Sequence, residues 1–199
     1  MTLLDRTAPE SCRGRPAPVL ETARLTLRPP RLADAEAVAA LVNDRRIADN
    51  TLSIPHPYSP ADARAFITEA NSGDDEVAFL ITAGGRIVGG CGIGRRGEEA
   101  PEIGYWLGVA FWGRGYATEA ARAVVDHAFG GLGCDVLLGG VRVSNPASRR
   151  VLEKCGFQWT GVGLYRIRAL ASSAPCDRFR LDRRLWTSLK SWGATGTAR

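Results

Sequence analysis

Apolar residues recur every three or four positions through several stretches of the chain. In YATEAARAVVDHAF, Ala117, Ala120, Ala121, Val124, Val125, Ala128 and Phe129 share one helical face, whereas Thr118, Glu119, Arg122 and Asp126 fall off it. DAEAVAALVND places Ala35, Val38, Leu41 and Val42 on one face of a second helix. YSPADARAFITEANSG reads as a third, with Ser59 as N-cap, Pro60 in the first turn and Gly73 just past the end. NPASRRVLEKCGF is a shorter one, capped by Asn145, with Pro146 inside its start and Gly156 at its stop. Elsewhere the pattern is that of strands. ARLTLR is the first, EVAFLITAGGRIVGGCGIG is a hairpin turning at Gly84 and Gly85, and PEIGYWLGV follows it. DVLLGGVRV is continuously apolar, and FQWTGVG and DRFRLDRRLW close the fold as strands. The sum is a mixed α/β domain with about six or seven strands and about four helices, without internal repeats. Residues 1–19 and 188–199 lack periodicity and read as flexible tails around a domain spanning 20–187.

Composition narrows the class. A chain of 199 residues, 45% of them apolar, is long enough for one well-buried domain and short for two. It holds no run of about 18 uncharged apolar residues, and its start lacks an apolar signal core, so a soluble cytoplasmic protein is expected, away from membranes. Five cysteines, Cys12, Cys91, Cys134, Cys155 and Cys176, are odd in number and never spaced CxxC, which argues for packed, reduced thiols. With His56 and His127 as its two histidines, the chain is not expected to hold a histidine-rich metal site or a His-based triad. The net charge of +5 comes from scattered arginines, with no basic patch interleaved with stacking aromatics, and nucleic acid is not the expected partner.

One stretch asks for a ligand. FWGRGYATEA moves from a turn directly into the alanine-rich helix, with Gly113 and Gly115 at the junction. Glycine tolerates φ > 0, and the first amides of a helix lack internal acceptors, so such a junction suits a phosphate. A Gly-rich turn serving only packing is the alternative. The literal GxGxxG at Gly92, Gly94 and Gly97 is followed by EEAPEIGYW and not by a helix, so it reads as a hairpin end and not as a dinucleotide fingerprint. No GxxxxGK[ST] occurs.

EIGYWLGVAFWGRGYATEAARAVVDHAF, followed by VRVSNPASRRVLEKCGF, resembles the acetyl-CoA-binding core of the GNAT N-acetyltransferases, in particular their RimJ/RimL-like branch. The likeness runs from about Leu20, where ETARLTLRPPRLADA resembles that branch's first strand and loop, to about Trp186. Gly115 and Ala117 match the small residues of the family's RxxGxG/A motif, while Trp112 stands where Arg or Gln is usual. The resemblance implies a central, mostly antiparallel sheet with two splayed strands. Main chain at Leu107, Gly108 and Val109 would pair with the pantetheine of acetyl-CoA, and the amides of Gly113, Arg114, Gly115, Tyr116, Ala117 and Thr118 would hold its pyrophosphate. Arg114 either adds charge there or is solvated, and Tyr116 reads as packing.

It further implies direct attack of a primary amine on the acetyl thioester. Glu102 is the candidate for receiving the amine proton, or else a strand-end carboxylate. Asn145 would lie beside the cofactor as well as cap its helix. Ser148, one turn on, would lie near the cofactor sulfur, and the tyrosine acid frequent in this helix is replaced by Leu152. Asn50, His56 and Tyr58 are candidates for the acceptor site, whose ligand is a protein N-terminus or a small amine. No metal is expected, and the chain is expected to be a monomer or homodimer. A noncatalytic acyl-CoA-binding module is the rival reading.

Overall fold

The computed structural model describes residues 17–72, 76–95 and 100–195. They form one eight-stranded sheet with six α-helices, more of each than hydrophobic periodicity predicts. The strands are β1 (Leu20–Glu21), β2 (Thr26–Arg28), β3 (Glu76–Ala83), β4 (Arg86–Gly94), β5 (Glu102–Leu107), β6 (Val136–Arg142), β7 (Gln158–Ile167) and β8 (Ser172–Asp182). The helices are α1 (Ala35–Val42), α2 (Arg45–Ala48), α3 (Pro60–Ser72), α4 (Tyr116–Gly130), α5 (Pro146–Lys154) and α6 (Arg183–Thr195). Sheet order is β1-β2-β3-β4-β5-β6-β8-β7.

All neighbours are antiparallel except β5 and β6. Those two share a single pair, Glu102 with Leu138, next to which the Leu138 N–H donates to the Pro101 carbonyl at 2.9 Å. Beyond this point the strands part. The gap leaves main-chain groups without a strand partner, and such groups need hydrogen bonds from somewhere.

Alternation along each strand splits the core in two. Phe79, Ile81, Ile103 and Leu107 face α4, whose buried stripe is the expected one except that Ala117 is half-buried: Ala120, Ala121, Val124, Val125, Ala128 and Phe129. Leu80 faces the other way, into a second cluster with Val38 and Val42 of α1 and Ile67 of α3. The hairpin turn falls at Gly84 and Gly85, with φ of 55° and 77°, as the two-residue loop requires. At the start of α3 the Ser59 hydroxyl accepts the Asp62 N–H at 3.2 Å, while Asp62 accepts the Ser59 N–H at 2.9 Å, a reciprocal cap. Gly92 and Gly94 lie within β4, and Gly97 of the GxGxxG string lies outside the described residues.

The end of the chain departs from expectation. Arg183, Arg184, Leu185 and Trp186, read as strand, are the first turn of α6, because Asp182 Oδ1 accepts the Leu185 N–H at 2.9 Å and turns the chain. Among the described residues beyond 187, α6 continues to Thr195 and Lys190 reaches back to the domain. Trp186 stacks on Phe129 at 5.3 Å, and its indole and the Lys190 ammonium bind the two oxygens of Asp126 at 2.9 and 2.7 Å. The short helix α2, started by Asp44 accepting the Arg46 N–H, carries too few residues to show a period.

Candidate active site

The junction ahead of α4 is built as glycines allow. Gly113 and Gly115 have φ of 74° and 78°, and Gly115 is the N-cap of α4. The first intrahelical bond runs from the Glu119 N–H to the Gly115 carbonyl, so the amides of Tyr116, Ala117 and Thr118 have no acceptor within the helix. A Cβ on Gly113 would meet nothing within 4 Å, so one side of the loop is open. Three orphan amides at the positive end of a helix dipole beside open space fit a diphosphate. Arg114 lies over the Phe111 ring at 5.7 Å, and Tyr116 packs against the core beneath the loop.

The strand leading into this loop is less open than the resemblance implies. The Leu107 carbonyl accepts the Trp112 indole N–H at 2.8 Å. Gly108 donates its N–H to Val88 at 2.9 Å and accepts from Phe111 at 2.9 Å, so its main chain is committed to the fold. A Cβ on Gly108 would stand 2.9 Å from Leu41 Cδ2 and 3.3 Å from the Phe111 ring, so these side chains pack directly on its backbone. Val109 opens a 3-10 turn, and its N–H therefore has no partner within that turn. Trp112 is thus a latch between the loop and the end of β5, a role that Arg or Gln at this position could fill only by another geometry.

Across the gap, α5 carries Ser148. Asn145 Oδ1 accepts the Ser148 N–H at 3.1 Å, the expected cap. Arg149 reaches Asp177 at 3.3 Å, and that buried carboxylate also accepts the Trp159 indole N–H at 2.8 Å, which pins α5 to β8. Leu152 is buried in the core, 2.9 Å from where a Cβ on Gly139 would stand. A phenol does reach Ser148, from another element. Tyr105, on β5, brings its hydroxyl to 2.9 Å from Ser148 Oγ and 3.0 Å from the Ser148 carbonyl. Burial holds this phenol above the ordinary tyrosine value, so it stays protonated. Its sequence context, EIGYWLGV, reads only as a strand, and no periodicity reports which helix a strand residue will touch.

Glu102 and Tyr105 point to opposite faces, being an odd number of residues apart on one strand. Tyr105 packs with the α4 side of the core, while Trp106, on the same face as Glu102, packs with α1 and α3. Glu102 Oε1 lies over β6, 2.7 Å from where a Cβ on Gly140 would stand. A cavity of about 470 Å³ reaches both faces, lined by Glu102, Gly104, Tyr105 and Ser148 together with Asn50 and Tyr58. A Cβ on Gly104 would meet nothing within 4 Å, so the space beside the gap is clear.

The acceptor candidates separate. Asn50 lines the cavity while its amide donates to the Arg46 carbonyl at 2.9 Å. Tyr58 lines it from within the second core cluster, and desolvation, followed by the Asp62 charge, pushes its hydroxyl up to about 12. His56 is not among the lining residues.

A sheet opened between two parallel strands, with a helix presenting orphan amides beside the opening, is the architecture of an acyl-CoA-dependent acyltransferase. The chain belongs to the GNAT acetyltransferases: the acetyltransferase (GNAT) domain model matches residues 24–158. It is similar to the probable N-acetyltransferase YjcK of Bacillus subtilis strain 168, at 34% identity over 155 residues, covering 72% of this chain and 86% of that protein. Among solved structures, RimJ of Mycobacterium smegmatis in complex with CoA-disulfide shares the fold, with TM-score 0.72 and 21% identity over 85% of this chain and 89% of that one. RimL, the ribosomal L7/L12 alpha-N-protein acetyltransferase in complex with coenzyme A, does so with TM-score 0.73 and 18% identity, covering 83% and 98%. The chain is an acetyltransferase of the GNAT family, and its sheet and helices follow the fold of those two structures. No helix among the described residues is long and apolar enough to cross a membrane.

Proposed function

We propose that the protein transfers the acetyl group of acetyl-CoA directly to a primary amine, of a protein N-terminus or a small molecule. The observation carrying this reading is that one cavity is lined by Glu102 on one face of the parted strands and by Tyr105 and Ser148 on the other. An amine approaching from the α1–α3 side would lose its proton to Glu102, directly or through water. The pantetheine would lie between β5 and β6, with the amides of residues 113–118 on the diphosphate and the Val109 N–H toward the acyl carbonyl. The sulfur then faces Ser148. The Ser148 hydroxyl, held by the Tyr105 phenol, donates a hydrogen bond to the leaving sulfur as the C–S bond breaks, in place of the tyrosine acid absent at Leu152, and the proton that Glu102 took from the amine returns to the thiolate through water, so that neither hydroxyl is ionised. Asn145 supports this arrangement as the cap that orients Ser148. Thiols held free at Cys91, Cys155 and Cys176 support a reducing, cytoplasmic setting.

Incubation of the protein with acetyl-CoA and a panel of peptides and small amines, read by mass spectrometry and thiol release, tests the reading. Acetylation of at least one amine is expected. CoA binding with no transfer to any amine would favour a noncatalytic acyl-CoA-binding module.

This pair of hydroxyls makes its own prediction. Ser148→Ala and Tyr105→Phe are each expected to lower turnover about ten- to a hundredfold, roughly 1.4 to 2.7 kcal/mol, with CoA affinity changed much less. The double variant is expected to fall little below either single one, because both remove the same hydrogen-bonded contact to the sulfur. Multiplying losses would show that the two hydroxyls act separately, and wild-type turnover in both single variants would remove them from the chemistry.

A further inference from the structure

Arg24, in the turn between β1 and β2, ties the diphosphate loop to the first turn of α4. Its Nε and Nη2 lie 2.7 and 2.6 Å from Glu119 Oε2, its Nη1 donates to the Arg114 carbonyl at 3.0 Å, and its backbone N–H donates to Glu119 Oε1 at 2.9 Å. The Thr22 hydroxyl donates to the same Oε1 at 2.6 Å. The guanidinium carbon stands 5.0 Å from the centre of the Tyr116 ring, and Nη2 is 3.4 Å from where a Cβ on Gly115 would be. The Arg24 side chain is still 51% exposed, whereas that of Glu119 is 17% exposed.

This contact answers two problems that the loop's sequence creates. Glu119 puts a carboxylate in the first turn of the helix whose start would face a diphosphate, and like charges there oppose binding. Burial resists its ionisation, but the hydrogen bonds from Thr22 and Arg24 outweigh that, so the carboxylate is charged and its charge is met by Arg24. The second problem is the peptide between Arg114 and Gly115. Gly115 on its far side, at a positive φ, lets it rotate, and a flipped peptide would turn a carbonyl toward the anion in place of an amide. Because the peptide unit is planar and trans, holding its C=O in one direction aims its N–H in the opposite one.

We propose that Arg24 is a positioning residue for the acyl donor: by pinning the Arg114 carbonyl and covering Glu119, it aims the Gly115 N–H and the first amides of α4 at the diphosphate. The proposal rests on the reading of residues 113–118 as the diphosphate loop. Lysine cannot replace it fully, since an ammonium lacks the planar fork that reaches a carboxylate and a carbonyl together.

The test compares acetyl-CoA with S-acetylpantetheine, which carries the same thioester and no diphosphate, and measures CoA binding by calorimetry. Arg24→Ala is expected to weaken CoA at least tenfold and to raise KM for acetyl-CoA by the same factor, while kcat/KM with S-acetylpantetheine moves less than twofold. Arg24→Lys is expected to retain at least a threefold loss. Equal losses with both donors, or thermal destabilisation with unchanged CoA affinity, would show a purely structural contact and overturn the proposal. Full rescue by lysine would show that charge alone matters, and would overturn the pinning of the carbonyl. A wild-type protein that acetylates amines from S-acetylpantetheine but binds no CoA would overturn the diphosphate reading itself, an outcome distinct from failure of the Arg24 contact.

Discussion

Glu102→Gln is expected to cut turnover about a hundredfold near neutral pH, a loss of roughly 2.7 kcal/mol in transition-state stabilisation, with CoA affinity within about twofold of wild type. Glutamine keeps the shape of the side chain that lies over Gly140 but cannot take a proton. The sign with pH follows from the role. A carboxylate base is lost as pH falls and it becomes protonated, so the wild-type rate should decline on the acid side, and the variant should lack that component of the decline. Measuring kcat and kcat/KM across pH with one acceptor decides it. Wild-type turnover at every pH would return Glu102 to a strand-end carboxylate. Gly140→Ala is a check on placement, since its Cβ would stand 2.7 Å from Glu102 Oε1 and must displace it. Its rate should fall in the same direction without changing the charge of the site.

Gly115→Val is expected to weaken CoA binding by about 2 kcal/mol or more, roughly thirtyfold. At φ of 78° a β-branched residue is strained whatever the space around it, and the new Cβ would stand 3.4 Å from Arg24 Nη2. Both effects act on the peptide that Arg24 holds. Gly113→Ala separates them, because φ there is 74° but a Cβ meets nothing within 4 Å, so it introduces strain without contact. A loss for Gly113→Ala of about 1 kcal/mol, smaller than that for Gly115→Val, is the expected order. Calorimetric titration of CoA into each variant, with folding checked by thermal melting, measures both. Undiminished affinity in a folded Gly115→Val protein would remove the loop from diphosphate binding.

The Gly115 prediction was available from the chain as text; half of the active-site argument was not. Gly113 and Gly115 ahead of an alanine-rich stripe announce positive φ and a helix start, because glycine and unsatisfied amides act within a few residues of each other. The same holds for the caps at Ser59 and Asn145. Tyr105 is the opposite case. It sits one residue from Gly104 and one from Trp106 in an ordinary strand, and its partner Ser148 is 43 residues away on α5. Trp112 was legible as a departure from a motif, yet its bond to Leu107 shows only in the folded loop. Arg24 and Glu119, 95 residues apart, carried no sign that they would meet. The misread end of the chain has a local cause: Leu181 and Leu185 fit a helical spacing and the preceding Phe179 and Leu181 a strand spacing, so a run of arginines between them leaves the period undecided until Asp182 caps α6.

By itself, then, the sequence determined the elements whose causes are local: the four longer helices before α6, the glycine turn, the caps, the glycine junction that opens α4 and the family motifs around it. The tertiary structure decided what depends on distance through space. It parted β5 from β6 after one pair, set Glu102 and Tyr105 on opposite faces of one cavity, brought Tyr105 to Ser148 and placed Arg24 over the loop. Periodicity states which face a side chain takes and turn chemistry states where the chain bends, but which faces meet follows from how the whole sheet and its helices pack, and that is a property no local window contains.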